Sequence, residues 1–296
     1  MSDNTSPPGT LYHYTSADGM VGILKSRSLW MTDIRYLNDL SELQYGKDIL
    51  TARIDSKLAN NDIGANGKEF LNRCRRSVGS SAPGEGTFST SFCQDGNLLS
   101  QWRAYRGRGG GYAIGFDFVH TLRFLDKPCA LAKMTYDRDV QTEVLDSSIE
   151  KFSSLLESID MSSDDGRQSF DGAVNAFMGM TGTLITAFKH PAFKEENEWR
   201  LIYKARSDPR INRGTDSPKI RTFDGNVIPY YEVSFDAAIE VSKDDTGGIR
   251  FPIVEIVIGP TINAQLNKES VRGALLAIAP DVEHHVTDSA IPLRWL

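Results

Sequence analysis

With 296 residues, 40% hydrophobic and 24% charged, the chain holds enough apolar material for one large domain or two ordinary ones, which excludes wholesale disorder. Its net charge of -6, from 33 Lys plus Arg against 39 Asp plus Glu, excludes a broadly basic surface that would bind nucleic acid or anionic membrane indiscriminately. Cys74, Cys93 and Cys129 form no CxxC pair, no apolar run approaches the ~18 residues of a membrane helix, and MSDNTSPPGT lacks the pattern of a secretory signal. The expectation is a cytoplasmic globular protein with no disulfide framework, no metal site and no membrane segment.

Residues 1–10, small, polar and proline-bearing, read as a flexible lead-in to a single domain over 11–296. Leu11-Tyr12-His13-Tyr14-Thr15 predicts a strand, followed by a helix capped by Ser16 or Asp18 with an apolar face of Met20, Val21, Ile23 and Leu24. Ser28 to Thr32 predicts a second strand, and Asn38-Asp39 with Ser41-Glu42 a turn and helix start. Residues 59–69 and 77–86, rich in Asn, Gly and Ser, predict loops around a short helix. Thr87 to Cys93 alternates aromatic and hydroxyl residues with the period of a strand. A short helix over Leu98 to Tyr105, a glycine- and arginine-rich turn over Arg106 to Gly111, and the strand Tyr112 to Phe116 follow. Residues 140–160 and 168–189 carry helical periodicity around the acidic loop 162–166 and predict a helical insertion at about 140–190. Glu198 to Tyr203, Tyr230 to Val241 and Ile253 to Ile258 predict strands, and Lys268 to Ile278 a last helix. The class is α+β, without regular βαβ alternation.

Conventional motifs fail: there is no P-loop, no H-E-x-x-H, no G-x-S-x-G, and the glycines near residue 110 lack the G-x-G-x-x-G order. Arg103, Arg106 and Arg108 make the densest basic patch, suited to a phosphate because a guanidinium pairs two oxygens at once. Three polar clusters interrupt strands that otherwise read as core: His13, Ser89-Thr90-Ser91 and Glu196-Asn197-Glu198. Each taken singly is an ordinary structural or solvated feature. An extended Glu196-Asn197-Glu198 would place both carboxylates on one strand face.

Taken in order, a strand His, a Ser-Thr-Ser strand and an E-x-E entering a strand resemble the signature of ADP-ribosyltransferase-like folds. The chain also resembles a large bacterial family of unknown function, through Leu11 to Thr15, Leu37-Asn38-Asp39, Phe88 to Phe92, Gln101 to Tyr105, Gly111 to Asp117, Glu196 to Ile202, Ile258-Gly259-Pro260 and Ile291 to Arg294. The resemblance implies a mixed, mainly antiparallel sheet core with a helical insertion, and NAD as co-substrate. It implies a mono-ADP-ribosyltransferase, a toxin or phage-defence effector acting on a nucleic-acid or protein acceptor, with an antitoxin or other partner protein open. Glu198 corresponds to the catalytic glutamate, and Glu196 would position or deprotonate the acceptor. His13, with Tyr14 or Thr15, would hydrogen-bond the ribose or adenosine hydroxyls, and Ser89, Thr90 and Ser91 would fix the nicotinamide ribose. Trp102, Tyr105 or Tyr112 would stack on nicotinamide unless they are core, and Arg103 would meet the pyrophosphate. Arg200 would pair with Asp39 or Glu42. An NAD glycohydrolase and an inert ligand- or partner-binding module are the alternatives.

Overall fold

A computed structural model describes residues 9–37, 40–60, 63–80, 86–105, 110–118, 122, 125–205, 217–223, 225–235, 252–278 and 285–292. In chain order its elements begin β1 (Thr10–Thr15), α1 (Ala17–Ser26), β2 (Ser28–Asp33), α2 (Leu40–Leu58), α3 (Ala65–Ser80), β3 (Thr87–Cys93), α4 (Leu99–Tyr105), β4 (Tyr112–Asp117) and β5 (Cys129–Lys133). They continue α5 (Arg138–Leu156), α6 (Asp164–Leu184), β6 (Glu198–Lys204), β7 (Lys219–Phe223), β8 (Asn226–Ser234), β9 (Ile253–Ile258), α7 (Ala264–Ile278) and β10 (His285–Asp288). They fall into two compact units, Met1–Thr32 with Thr87–Lys133 and Glu195–Leu296, and Asp33–Gly86 with Met134–Lys194.

The first unit is a mixed sheet in the order β10-β9-β4-β1-β3-β2-β8-β7, with β6 on β3 and β5 on β6. Each register that the structure resolves is antiparallel except β9 with β10. Strand β6 runs along the whole of β3, from Thr87↔Lys204 to Cys93↔Glu198. A strand has two edges, so β1 and β2 share the other one. Strand β1 meets it at a single pair, Tyr12↔Cys93.

Alternation sorts the side chains onto two faces. Leu11, Leu29, Met31, Phe88, Phe92, Ile114, Phe116, Trp199, Leu201, Tyr203, Tyr231 and Val233 share one buried core, to which α1 adds Met20, Ile23 and Leu24 and α7 adds Val271 and Leu275. The i, i+3, i+4 spacing of the α1 residues is the expected amphipathic stripe, and Ser16 caps the helix, its Oγ accepting the Gly19 N–H at 3.2 Å. On the opposite face Tyr14, Cys93, Trp102, Ala113 and Val257 make a smaller cluster. Gly259 admits the Trp102 ring, which would stand 2.8 Å from a Cβ at that position.

The second unit is helical. Ile49, Leu50 and Ile54 of α2, Phe70, Leu71, Cys74 and Val78 of α3, Leu145, Ile149 and Leu156 of α5, and Phe170, Val174 and Phe177 of α6 form its core. Asp137 and Ser163 cap α5 and α6. Gln141 ties the unit together by donating to the carbonyls of Thr135 and Lys189 and accepting from the Tyr45 hydroxyl. The Lys189 ammonium meets Glu42 at 3.0 Å, both side chains nearly enclosed.

Several expectations change. The short helix expected between loops at 59–69 and 77–86 is the 16-residue helix α3, which takes in 65–69 and 77–80 as well, because burial of Phe70, Leu71, Cys74 and Val78 outweighs the weak propensity of its Asn, Gly and Ser residues. The helices expected near 140–190 are α5 and α6, which pack with α2 and α3. Thr10, assigned to the lead-in, already belongs to β1, while residues 1–8 lie outside the described residues. Strand β8 begins at Asn226, earlier than expected, and residues 236–241 of the predicted strand also lie outside.

Candidate active site

Strands β3 and β6 build a polar patch on the sheet face opposite the main core. Their register sets Ser89 against Ile202, Ser91 against Arg200 and Cys93 against Glu198, and directly opposed residues point the same way. Trp199, Leu201 and Tyr203 alternate into the core, so Glu198 and Arg200 face away from it together. The Arg200 Nε donates to Glu198 Oε1 at 2.6 Å and Nη2 to Oε2 at 3.1 Å, a two-pronged charge-assisted contact. Glu198 is 3% exposed and Arg200 5%. Ser89, two residues along β3 from Ser91, is also buried, and its hydroxyl has no hydrogen-bond partner among the described residues.

His13 takes a different position. It alternates with Tyr12 and Tyr14, which puts it on the side of Leu11, and its ring lies 5.7 Å from Phe92. Its Nδ1 is 3.0 Å from the Ser91 carbonyl oxygen. A carbonyl only accepts, so Nδ1 carries the proton and Nε2 is the acceptor in the neutral ring. The imidazole bridges β1 to β3 just past their single paired position. Burial lowers its pKa from 6.5, with the Ser91 carbonyl pulling the other way. Thus His13 touches the backbone of the Ser-Thr-Ser strand, while Ser89, Ser91, Glu198 and Arg200 gather on the other face. Thr90 points toward the core and donates its hydroxyl to the Trp30 carbonyl at 2.5 Å. Thr15 packs its Oγ1 against the first turn of α1 at Gly19.

Other assignments are corrected by geometry. Glu196 does not share the strand face of Glu198: it closes a 3-10 turn over Pro191–Glu196, and Asn197 takes a left-handed φ of 42° before β6 begins at Glu198. The Tyr14 hydroxyl, expected at a ribose, donates to the Asp95 carbonyl at 2.8 Å and accepts the Leu98 N–H at 2.9 Å. Trp102 is 1% exposed, packs edge-on to Tyr14 at 4.8 Å and donates its indole N–H to Asn97 at 2.9 Å, so it has no face for nicotinamide. Tyr112 is likewise part of the core. Arg103 and Tyr105, on the last turn of α4, remain exposed. Arg106, Arg108, Asn38 and Asp39 lie outside the described residues. Arg200 finds a partner two residues away in Glu198, and Glu42 meets Lys189.

A second cluster continues the polar face on β2, β8 and β7. Trp30 is 42% exposed, lies 4.6 Å from the Tyr230 ring, and has the Arg221 guanidinium 5.6 Å from its centroid. Arg221 Nη2 donates to Thr32 Oγ1 at 3.0 Å, its Nε has no partner among the described residues, and burial lowers its pKa. No local pattern announced this grouping: its members are up to 200 residues apart, and Arg221 sits on a strand whose sequence carries no clear alternation.

Residues 101–201 are similar to a family of proteins of unknown function, DUF2971. The matched stretch includes Trp102 to Asp117 and Glu196 to Leu201, whereas His13 and Ser89 to Ser91 precede it. No curated protein and no solved structure matches the chain. Among the described residues no helix is long and apolar enough to cross a membrane, and no group of three or more His, Cys, Asp or Glu side chains is arranged to hold a metal ion.

Proposed function

We propose that this protein transfers ADP-ribose from NAD to a macromolecular acceptor. The observation that carries the reading is the grouping of a buried carboxylate, Glu198, with Ser89 and Ser91 on one face of β3 and β6. The donor set suits a ribose: the Ser91 and Ser89 hydroxyls lie two and four residues along β3 from the position paired with Glu198, on the same face as its carboxylate, a polar row that can meet the vicinal hydroxyls of the nicotinamide ribose. NAD supplies the labile glycosidic bond. Its cleavage releases nicotinamide and leaves an oxocarbenium-like ribosyl centre, the same charge development as in glycoside hydrolysis.

Glu198 stabilises that positive charge, and its anionic form is the one a permanently charged guanidinium selects. Arg200 positions the carboxylate by holding both oxygens. Ser89 and Ser91 orient the sugar. His13 acts through β3 as a positioning residue, since its bond is to the Ser91 carbonyl.

Hydrolysis of NAD is the second reading. It is favoured by the departure of Glu196 from the Glu198 strand face, because Glu196 is the carboxylate that would activate an acceptor. The test is to incubate the purified protein with NAD and follow nicotinamide release, with and without RNA or cell lysate. Label appearing on a macromolecule supports transfer, and release without label supports hydrolysis. Wild type and Glu198→Gln behaving alike in both assays overturns the catalytic proposal.

A further inference from the structure

The Trp30–Arg221 cluster has the makings of a ligand site distinct from the Glu198 patch. Among the described residues Arg221 has no carboxylate partner, whereas Lys219 beside it on β7 pairs with Glu232 at 2.5 Å. A half-buried guanidinium without a counter-ion is an unfavourable arrangement unless an anion completes it. Around it stand an exposed indole, the Tyr230 ring and the Thr32 hydroxyl. The pairs Thr32↔Tyr230 and Lys219↔Tyr230 put all of these on one side, opposite Leu29, Met31, Tyr231 and Val233, which point into the same core as Phe88 and Phe92. The cluster therefore lies on the same face as Ser89 and Ser91, and β2 and β3 are neighbours, about 4.8 Å apart as strands are.

We propose that this cluster is a nucleotide subsite: Arg221 receives a phosphate, and the exposed part of Trp30 meets the attached base. Resting on the reading of NAD as co-substrate, the occupant is the AMP half of the dinucleotide. A guanidinium presents two parallel donors to phosphate oxygens, and an indole offers a flat apolar surface to a purine. Cation and aromatic already lie against each other, so little side-chain ordering remains for the ligand to impose.

The test is a titration of the full-length protein with AMP, adenosine and NAD, read by calorimetry and by tryptophan fluorescence. Trp102 and Trp199 are buried, which makes Trp30 the exposed reporter among the described tryptophans. AMP is expected to bind and to perturb the Trp30 signal, with adenosine at least tenfold weaker. Arg221→Gln is expected to weaken AMP about ten- to hundredfold, the range of a lost charge-assisted contact, while its melting temperature holds or rises because the removed charge has no acid partner among the described residues. Equal binding of AMP and adenosine, AMP binding unchanged in Arg221→Gln, or quenching by a single-stranded oligonucleotide but not by AMP each overturns the subsite. The AMP and adenosine comparison needs no variant. The readout is separate from catalysis: AMP binding without nicotinamide release upholds the subsite and removes the transferase, whereas nicotinamide release without AMP binding does the reverse.

Discussion

Arg200 and Glu198 hold each other through two hydrogen bonds while standing only two residues apart on the same face of β6. Neighbours i and i+2 on a strand rarely form so complete a pair, because their side chains project in parallel. Here the long guanidinium bends back onto the shorter carboxylate. Both charges are buried, so removal of one takes a two-pronged ionic partner from the other. Arg200→Ala is expected to cost about 3–5 kcal/mol of stability, and the double substitution Glu198→Leu with Arg200→Met to recover most of it. Urea denaturation of the two variants beside wild type checks this. Glu198→Gln keeps the shape and can still accept from Arg200, so it should retain the fold while losing nicotinamide release.

His13 predicts a pH dependence. Burial lowers its folded-state pKa below the unfolded value of 6.5. Below pH 6.5 the unfolded chain binds a proton that the native state resists, so stability rises with pH through this window. The contribution is fully present above about pH 6.5 and is lost as pH falls toward the lowered pKa. Melting temperature should therefore fall between pH 7 and 5 more steeply in wild type than in His13→Asn, which keeps a donor for the Ser91 carbonyl. Parallel curves would show that His13 does not titrate on unfolding.

The Tyr14 hydroxyl serves the backbone on both sides, at Asp95 and Leu98. Burial raises its pKa, so it stays a neutral phenol throughout the accessible range. Tyr14→Phe takes this partner from the Asp95 carbonyl and the Leu98 N–H and is expected to cost about 0.5–1.5 kcal/mol in denaturant unfolding. The KM for NAD should not change, because the hydroxyl is already engaged. A raised KM at unchanged stability would return Tyr14 to the ligand.

Asn197 sets the entry to β6 with a φ of 42°, and its amide donates to Gln94. Non-glycine residues pay about 1–2 kcal/mol for this region, and asparagine is among the best tolerated. Asn197→Gly should stay within about 1 kcal/mol of wild type, whereas Asn197→Val should destabilise more and lower nicotinamide release by displacing Glu198. Thermal melts and the release assay on the two variants test both parts.

The strands with strong alternation were legible in the sequence: Leu11 to Thr15, Thr87 to Cys93, Glu198 to Tyr203 and Ile253 to Ile258 each form where expected. The extent of helix α3 was not: its middle was expected as a short helix, but the glycine, asparagine and serine content of its two ends masks a stripe that is buried only against α2, α5 and α6. Within the candidate site, Ser89, Ser91 and Glu198 share one face of β3 and β6, whereas Glu196 does not lie on the strand face expected for it, because one left-handed residue breaks the two-residue period. The local pattern left the faces of His13 and Thr90 undecided, since a strand carries no mark of which side the core will take.

Residue order alone therefore determined the mixed α+β class and the polar interruptions in otherwise apolar strands, both of which depend on contacts within a few residues. Tertiary structure decided which interruptions share a face, that Arg200 answers Glu198, and that Trp30 from β2 meets Arg221 from β7, 191 positions later. The physical reason is pairing. Register between strands distant in sequence is chosen by the burial of whole faces, and a polar side chain inherits its neighbours from that choice.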